Sequence, residues 1–206
     1  MDQTRSTLLM RVRDPADAVA WGEFVTLYEP MLTAYLRHRG LGPEDTRDVV
    51  QDVFARLVKS LPEFELERRR GRFRTWLWQV CRSALVDWAR RRRRQARAED
   101  AWLRRLSETP PPDQDDSDPE WGNLHRRRVL AFALERVRAR SRPATWACFE
   151  RHLLQGRPTA EVAGELGLST NAVAVNGSRI LDRVRKFCAE YLEELADGPE
   201  PLPRRP

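Results

Sequence analysis

The sequence has little of the residue chemistry from which metal centres and nucleophilic active sites are built. It holds three cysteines and three histidines in 206 residues. Cys81, Cys148 and Cys188 form no CxxC pair and fall at core-like positions of helical patterns, so they read as small buried hydrophobes. His38, His125 and His152 lie far apart, which leaves no zinc-ligand spacing, and neither a metal nor another cofactor is expected. Long apolar runs are missing too. No stretch reaches the ~18 residues of a membrane helix, and the apolar run in MDQTRSTLLMRVRDP is too short for a signal peptide. A cytoplasmic chain without membrane insertion is the expectation. Lysine is nearly absent: Lys59 and Lys186 are the only two, and arginine supplies the remaining basic charge.

What the chain does have is charge, at 33% of residues against roughly 25% in an average globular chain. The net charge is +6 and the pI about 9.9, which favours a polyanionic partner, nucleic acid first. Guanidinium suits that role because its fixed fork grips phosphate.

No stretch alternates with period two, while apolar spacing of three and four recurs from end to end, so the fold class is all-α. One helix is expected from near Asp14 and Pro15 to before Gly40, with Trp21, Phe24, Val25, Tyr28, Leu32 and Leu36 inward. A second starts at Pro43 and stops at Pro62, with Val49, Val50, Val53, Phe54 and Leu57 inward. A third runs from about Arg72 into the arginines at 90–94. The segment ETPPPDQDDSDPE then forbids a packed helix. Two small helical domains follow from this pattern, residues 1–95 and 121–195, joined by a flexible linker over 96–120 and ending in a disordered tail at 196–206.

In the second domain, PTAEVAGELGLSTNAVAVNGSRILDRVR reads as a short helix, a glycine turn at Gly167, and a second helix capped by Ser169. Small Ala163 lets the two approach, and Val162, Leu166, Leu168, Val173, Ile180 and Val184 make a shared core. That is the helix-turn-helix pattern of duplex-DNA readers. With Val173 and Ile180 inward, Asn171, Ala174, Val175 and Ser178 point outward toward base edges, beside Thr170. Asparagine suits adenine, and Ala174 and Val175 suit a thymine methyl. Arg157, Arg179 and Arg185 are placed for phosphates. Gly177 is unusual inside such a helix. It either weakens the helix and leaves a gap beneath Val173 and Ile180, or permits a close helix contact.

In the first domain, Phe73, Trp76, Leu77, Val80, Cys81, Ala84, Leu85 and Trp88 form one broad apolar stripe. Trp78 falls on its flank near Arg74 and Arg82, and Trp76 on the other margin. Partly exposed rings beside guanidiniums suit stacking on unpaired bases. The preceding helix carries the opposite charge: Glu44, Asp45, Asp48 and Asp52 gather on one side. No nucleic acid would choose that face, so it reads as a docking surface for a basic protein.

Taken together, EDTRDVVQDVFARLV, RGRFRTWLWQVCRSALVDWARRRRR and GRPTAEVAGELGLSTNAVAVNGSRILDRVR, in this order, resemble a bacterial RNA polymerase sigma factor of the extracytoplasmic-function group. The resemblance covers about residues 5–195. It implies a first domain, region two, that docks on core RNA polymerase and melts the −10 element, and a second, region four, that reads the −35 element of promoter DNA. An anti-sigma factor is a further partner it admits. By position, Asp48, Gln51 and Asp52 match the polymerase-docking motif. The loop ELERRRGRF, with Arg70 and Arg72, matches the segment that pockets a flipped −10 base. Trp76 and Trp78, with Arg74 and Arg82 beside them, match the aromatic melting segment, and Ser83, Asp87 and Arg90 lie on the −10 reading helix. Ser83 stands where many relatives have asparagine, and Gly177 where many have a bulkier residue.

Residues 96–120 can extend to roughly 80 Å at ~3.3 Å per residue, more than two duplex turns of ~34 Å, so one chain can reach both elements. The competing reading is a polymerase-independent helix-turn-helix transcription regulator, which leaves the acidic face unexplained. Neither reading makes the chain an enzyme.

Overall fold

Residues 8–64, 73–95 and 118–192 are described in the computed structural model of the chain, and every regular element among them is helical. The all-α expectation holds. Contacts divide the chain into two units, Met1–Arg128 and Val129–Pro206. The linker core at 96–117, the tail and most of ELERRRGRF lie outside the described residues.

The first unit opens on a short turn, α1 (Leu8–Arg11), which the sequence pattern did not announce. Helix α2 (Ala18–His38) starts at Asp17, whose carboxylate accepts the Ala20 N–H at 2.9 Å and the Arg11 guanidinium at 2.9 and 3.0 Å. These bonds hold the Asp17 carboxyl below its usual range, the Ala20 amide contributing most. Pro43 opens α3 (Pro43–Ser60) at a position where a missing N–H costs nothing. Helix α4 (Phe73–Gln95) completes the set. The core lies where α2 buries Phe24, Leu27, Tyr28, Met31, Leu32, Tyr35 and Leu36, α3 buries Val49, Val50, Val53 and Leu57, and α4 buries Phe73, Leu77, Cys81, Ala84 and Leu85. Rings carry much of it: Phe24 meets Tyr28 at 4.6 Å and Phe73 at 5.9 Å between centroids. Trp21, Val25, Phe54, Val80 and Trp88, expected inward, are half-buried.

Helix α5 (Pro119–Ala139) begins within this unit and crosses its boundary between Arg128 and Val129. The sequence pattern starts a second domain at 121, yet the first turns of α5 seal the first unit. Trp121 is fully buried, sits edge-on to Tyr35 at 4.9 Å, and donates its Nε1–H to the Arg74 carbonyl at 3.1 Å. His125 stacks on Tyr28 at 6.1 Å, and Asp118 pairs with Arg39. Arg128 answers a defect in α2. Pro30 lies inside that helix and has no N–H for the carbonyl of Thr26, four residues back. The Arg128 guanidinium supplies the missing donor, with Nη2 to the Thr26 oxygen at 2.7 Å and Nε to the Leu27 oxygen at 3.2 Å.

In the second unit the rest of α5 packs with α6 (Pro143–Cys148), which runs on into a π-helical segment, Phe149–Leu154, then α7 (Thr159–Leu166) and α8 (Thr170–Leu192). Gly167 ends α7 in the left-handed region (φ 64°, ψ 34°), a conformation cheap for glycine alone. Two residues on, the Ser169 hydroxyl accepts the Ala172 N–H at 3.1 Å and starts α8. Both features stand where the sequence put them.

The shared core expected for α7 and α8 resolves into two clusters. Val162, Ala163 and Val173 pack with Cys148, while Ile180 and Val184 pack with Ala133, Val137, Trp146 and Phe149. The reason is length: Val173 and Ile180 stand about 10 Å apart along the α8 axis, so they meet different neighbours. The gap foreseen beneath them at Gly177 is not there. Gly177 is buried against the π-helical segment, where an added Cβ would lie 3.3 Å from Leu153 Cδ1 and 3.8 Å from the Cys148 carbonyl oxygen. Glycine permits a close helix contact.

Candidate functional site

On α3 the acidic face divides in two. Glu44, Asp48 and Gln51 are exposed, and Asp48 makes no ion pair among the described residues. Asp45 and Asp52 are half-buried and turned toward α4, where Asp45 meets Arg92 and Asp52 meets Arg91, each at 3.7 Å. Asp52 is also gripped by Arg56, one turn along α3. Arg56 Nε and Nη2 reach its two carboxylate oxygens at 3.2 and 2.9 Å, while Nη2 bonds Asp87 at 2.9 Å and Nη1 donates to the Ser83 hydroxyl at 3.0 Å. Burial draws the Arg56 pKa down and the bonds to Asp52 and Asp87 more than restore it, leaving it raised.

On α4 the two rings expected at the margins behave differently. Trp78 is not a flank residue. It is 5% exposed and donates its Nε1–H to the Tyr35 hydroxyl at 3.0 Å, with the Arg82 guanidinium 5.7 Å from its ring centre. The helical wheel misplaced it because Tyr35 of α2 reaches up and extends the buried stripe by one position. Trp76 is half-buried, leaning on Phe64 at 4.5 Å and Phe73 at 5.6 Å, so part of its ring faces outward. Ser83 and Arg90 are exposed, Arg74, Arg82 and Asp87 half-buried, and Arg70 and Arg72 outside the described residues. Asp87, Arg90, Arg91 and Arg93 line an open cavity of about 720 Å³.

On α8 the outward face is as the periodicity draws it. Ser169, Thr170, Asn171, Val175, Ser178, Arg179 and Arg185 are exposed and Ala174 half-buried. Arg157 differs from the expectation. Its guanidinium is held by Glu161 and Glu165, and Arg151 adds a bond to Glu165 at 2.7 Å, so two carboxylates already balance the cation placed for phosphate. The Arg157 bond, above all, keeps the Glu165 carboxyl below its usual range.

The family model for Sigma-70 region 2 matches residues 24–95, the span that carries α3, α4 and most of α2. Over 186 residues, 90% of this chain and 96% of the other, the sequence is 26% identical to the ECF RNA polymerase sigma factor RpoE of Cereibacter sphaeroides. Both findings support an ECF sigma factor.

A sigma factor serves transcription initiation, and the family, which is not one of enzymes, works with core RNA polymerase and promoter DNA. No helix among the described residues is long and apolar enough to cross a membrane. Within the span that matches Sigma-70 region 2, the structure brings Asp52, Ser83 and Asp87 together around one guanidinium. Sequence reasoning missed Arg56, although its i,i+4 spacing from Asp52 is a visible signal for an ion pair. What the spacing cannot show is that the same side chain crosses to α4.

Proposed function

We propose that this sigma factor docks on core polymerase through Asp48, Gln51 and Asp52 of α3, opens and reads the −10 element with α4, and reads the −35 element with the outer face of α8. The supporting observation is the division of charge on two adjacent helices. Glu44 and Asp48 present carboxylates on α3 that make no ion pair among the described residues, while Arg90 to Arg93 gather on the last turns of α4. A basic protein surface complements the first and a phosphate backbone the second. On α4, Trp76 offers the accessible ring for an unstacked base, and Ser83, Asp87 and Arg90 follow farther along the same helix. In the second unit, α7, Gly167 and α8 form the helix-turn-helix. There, Asn171, Val175 and Ser178 supply base contacts from the first turns of α8, with Arg179 and Arg185 on phosphates.

Asp48→Arg tests the docking assignment without disturbing Arg56. The variant should keep its helical circular dichroism and lose co-purification with core enzyme by at least roughly tenfold, since like charges then meet at the contact. Undiminished binding by a folded variant sinks the assignment. A wild-type gel shift on duplex promoter DNA without polymerase separates this function from that of an autonomous regulator: tight, sequence-specific binding would support the latter.

A further inference from the structure

A guanidinium carries five N–H donors in a rigid fork. Arg56 spends its fork on three residues of two helices: both oxygens of Asp52, Oδ2 of Asp87 and Oγ of Ser83, all between 2.9 and 3.2 Å. Asp52 belongs to the proposed docking surface, and Ser83 and Asp87 to the proposed −10 reader. We infer that Arg56 is a positioning residue that sets Ser83 and Asp87 for promoter reading and ties that setting to the occupancy of Asp52 by polymerase. This rests on the assignments under Proposed function.

The bonding fixes the polarity of the reader. A serine hydroxyl has one proton and two lone pairs. With a lone pair taken by Arg56 Nη1, its proton is left to donate outward, so Ser83 presents a donor. Asp87 has one oxygen on Arg56 Nη2, and its other lies 3.8 Å from Arg90, so Asp87 presents an acceptor one turn away. Donor and acceptor at fixed spacing are what a base edge requires. Without Arg56, the Asp52 and Asp87 carboxylates that share Nη2 would lose their common cation, and mutual repulsion would turn Asp87 from its place.

The same sharing links the two surfaces. A cation of the docking partner that takes an oxygen of Asp52 competes directly with Arg56 Nε and Nη2. The guanidinium then has Asp87 and Ser83 as its remaining partners, and its charge moves toward the reader. Docking thereby strengthens the hold on the residues that read DNA.

The test uses the full chain with core polymerase, at saturating polymerase, in run-off transcription from one promoter and a series of single-base −10 variants. Arg56→Gln, checked for fold by circular dichroism, should narrow the ratio of preferred to substituted −10 sequences by about tenfold, the loss expected when one base contact is mis-set. Arg56→Lys keeps the charge without the fork and should fall between. If a folded Arg56→Gln lowers every rate by the same factor, or none, Arg56 is structural only and the inference is overturned. Ser83→Ala and Asp87→Asn run alongside. If they leave the ratio untouched, α4 is not the reader and the parent assignment has failed; if they change it while Arg56→Gln does not, only the Arg56 role has failed. Asp52→Asn should weaken polymerase binding yet, in the saturated complex, keep the ratio as wide as in the wild type, because it releases Arg56 to Asp87 and Ser83 as docking does. A ratio narrowed in the saturated complex overturns the link between docking and reading.

Discussion

In the first unit Asp45 and Asp52 of α3 pair with Arg92 and Arg91 of α4, and Asp52 pairs also with Arg56 on its own helix. In the second unit the outer face of α8 from Thr170 to Arg185 is left to solvent, with one exposed pair between Asp182 and Arg185. The difference separates two ways of building an interface. One holds its polar groups in a preset array that a partner must enter by exchange. The other is a regular helix whose contact residues keep their own rotamers until DNA arrives. Preorganisation costs nothing at the moment of binding in the first case, and the ordering of side chains is deferred to it in the second.

The largest expected effect lies in the interior that supports the preset array. Trp78→Ala should destabilise the first unit by about 3 to 5 kcal/mol, the cost of a large ring removed from a close-packed core. Urea unfolding of the full chain measures it. A variant as stable as the wild type, yet defective in promoter opening on a duplex and competent on a pre-melted bubble, would return Trp78 to the DNA-facing surface.

A second way to sharpen the contrast is pH. His125 is buried, and burial first, then Arg74 and Arg126, depress its pKa from 6.5 to about 4. The unfolded chain takes up this proton more readily than the folded one. Stability from neutral His125 is therefore complete above pH 6.5 and is lost as pH falls toward about 4, by on the order of 3 kcal/mol. Denaturation midpoints at pH 7 and pH 4.5 should diverge in the wild type and much less in His125→Leu. Equal divergence in both would place the titration elsewhere.

The smallest effect concerns the second unit. At Gly177 a methyl meets Leu153 Cδ1 at 3.3 Å, but Leu153 is 39% exposed and its side chain can swing aside. The helix-propensity gain then outweighs the contact, and Gly177→Ala should raise stability by up to ~1 kcal/mol. Thermal melts check the sign; a lowered midpoint means that the π-helical segment holds Leu153 fixed, with overpacking of ~1 to 3 kcal/mol winning.

The contrast also explains what could be read from sequence. Periodicity placed α2, α3, α4, α7 and α8, the Gly167 turn and the Ser169 cap, because each depends on residues within a few positions of one another. It also drew the exposed face of α8, where nothing else intrudes. It failed where a distant residue intervenes. Tyr35 pulls Trp78 inward, Trp121 and His125 attach the start of α5 to the first unit, and Arg56 crosses from α3 to α4. Glu161 and Glu165 claim Arg157 from close by, and there the i,i+4 spacing of Arg157 and Glu161 is itself a visible signal for an ion pair. The segment ELERRRGRF stays an expectation.

Pro30 gives the first unit something that a flawless helix lacks, which is an address. Along a regular helix every interior carbonyl is already claimed, and a guanidinium sliding past finds each turn equivalent to the next. The break at Thr26 is a single keyhole, and Arg128 is cut to it, so the residues from 118 to 128 have one axial register against α2. Replacing the proline with alanine would mend the helix and erase the keyhole together.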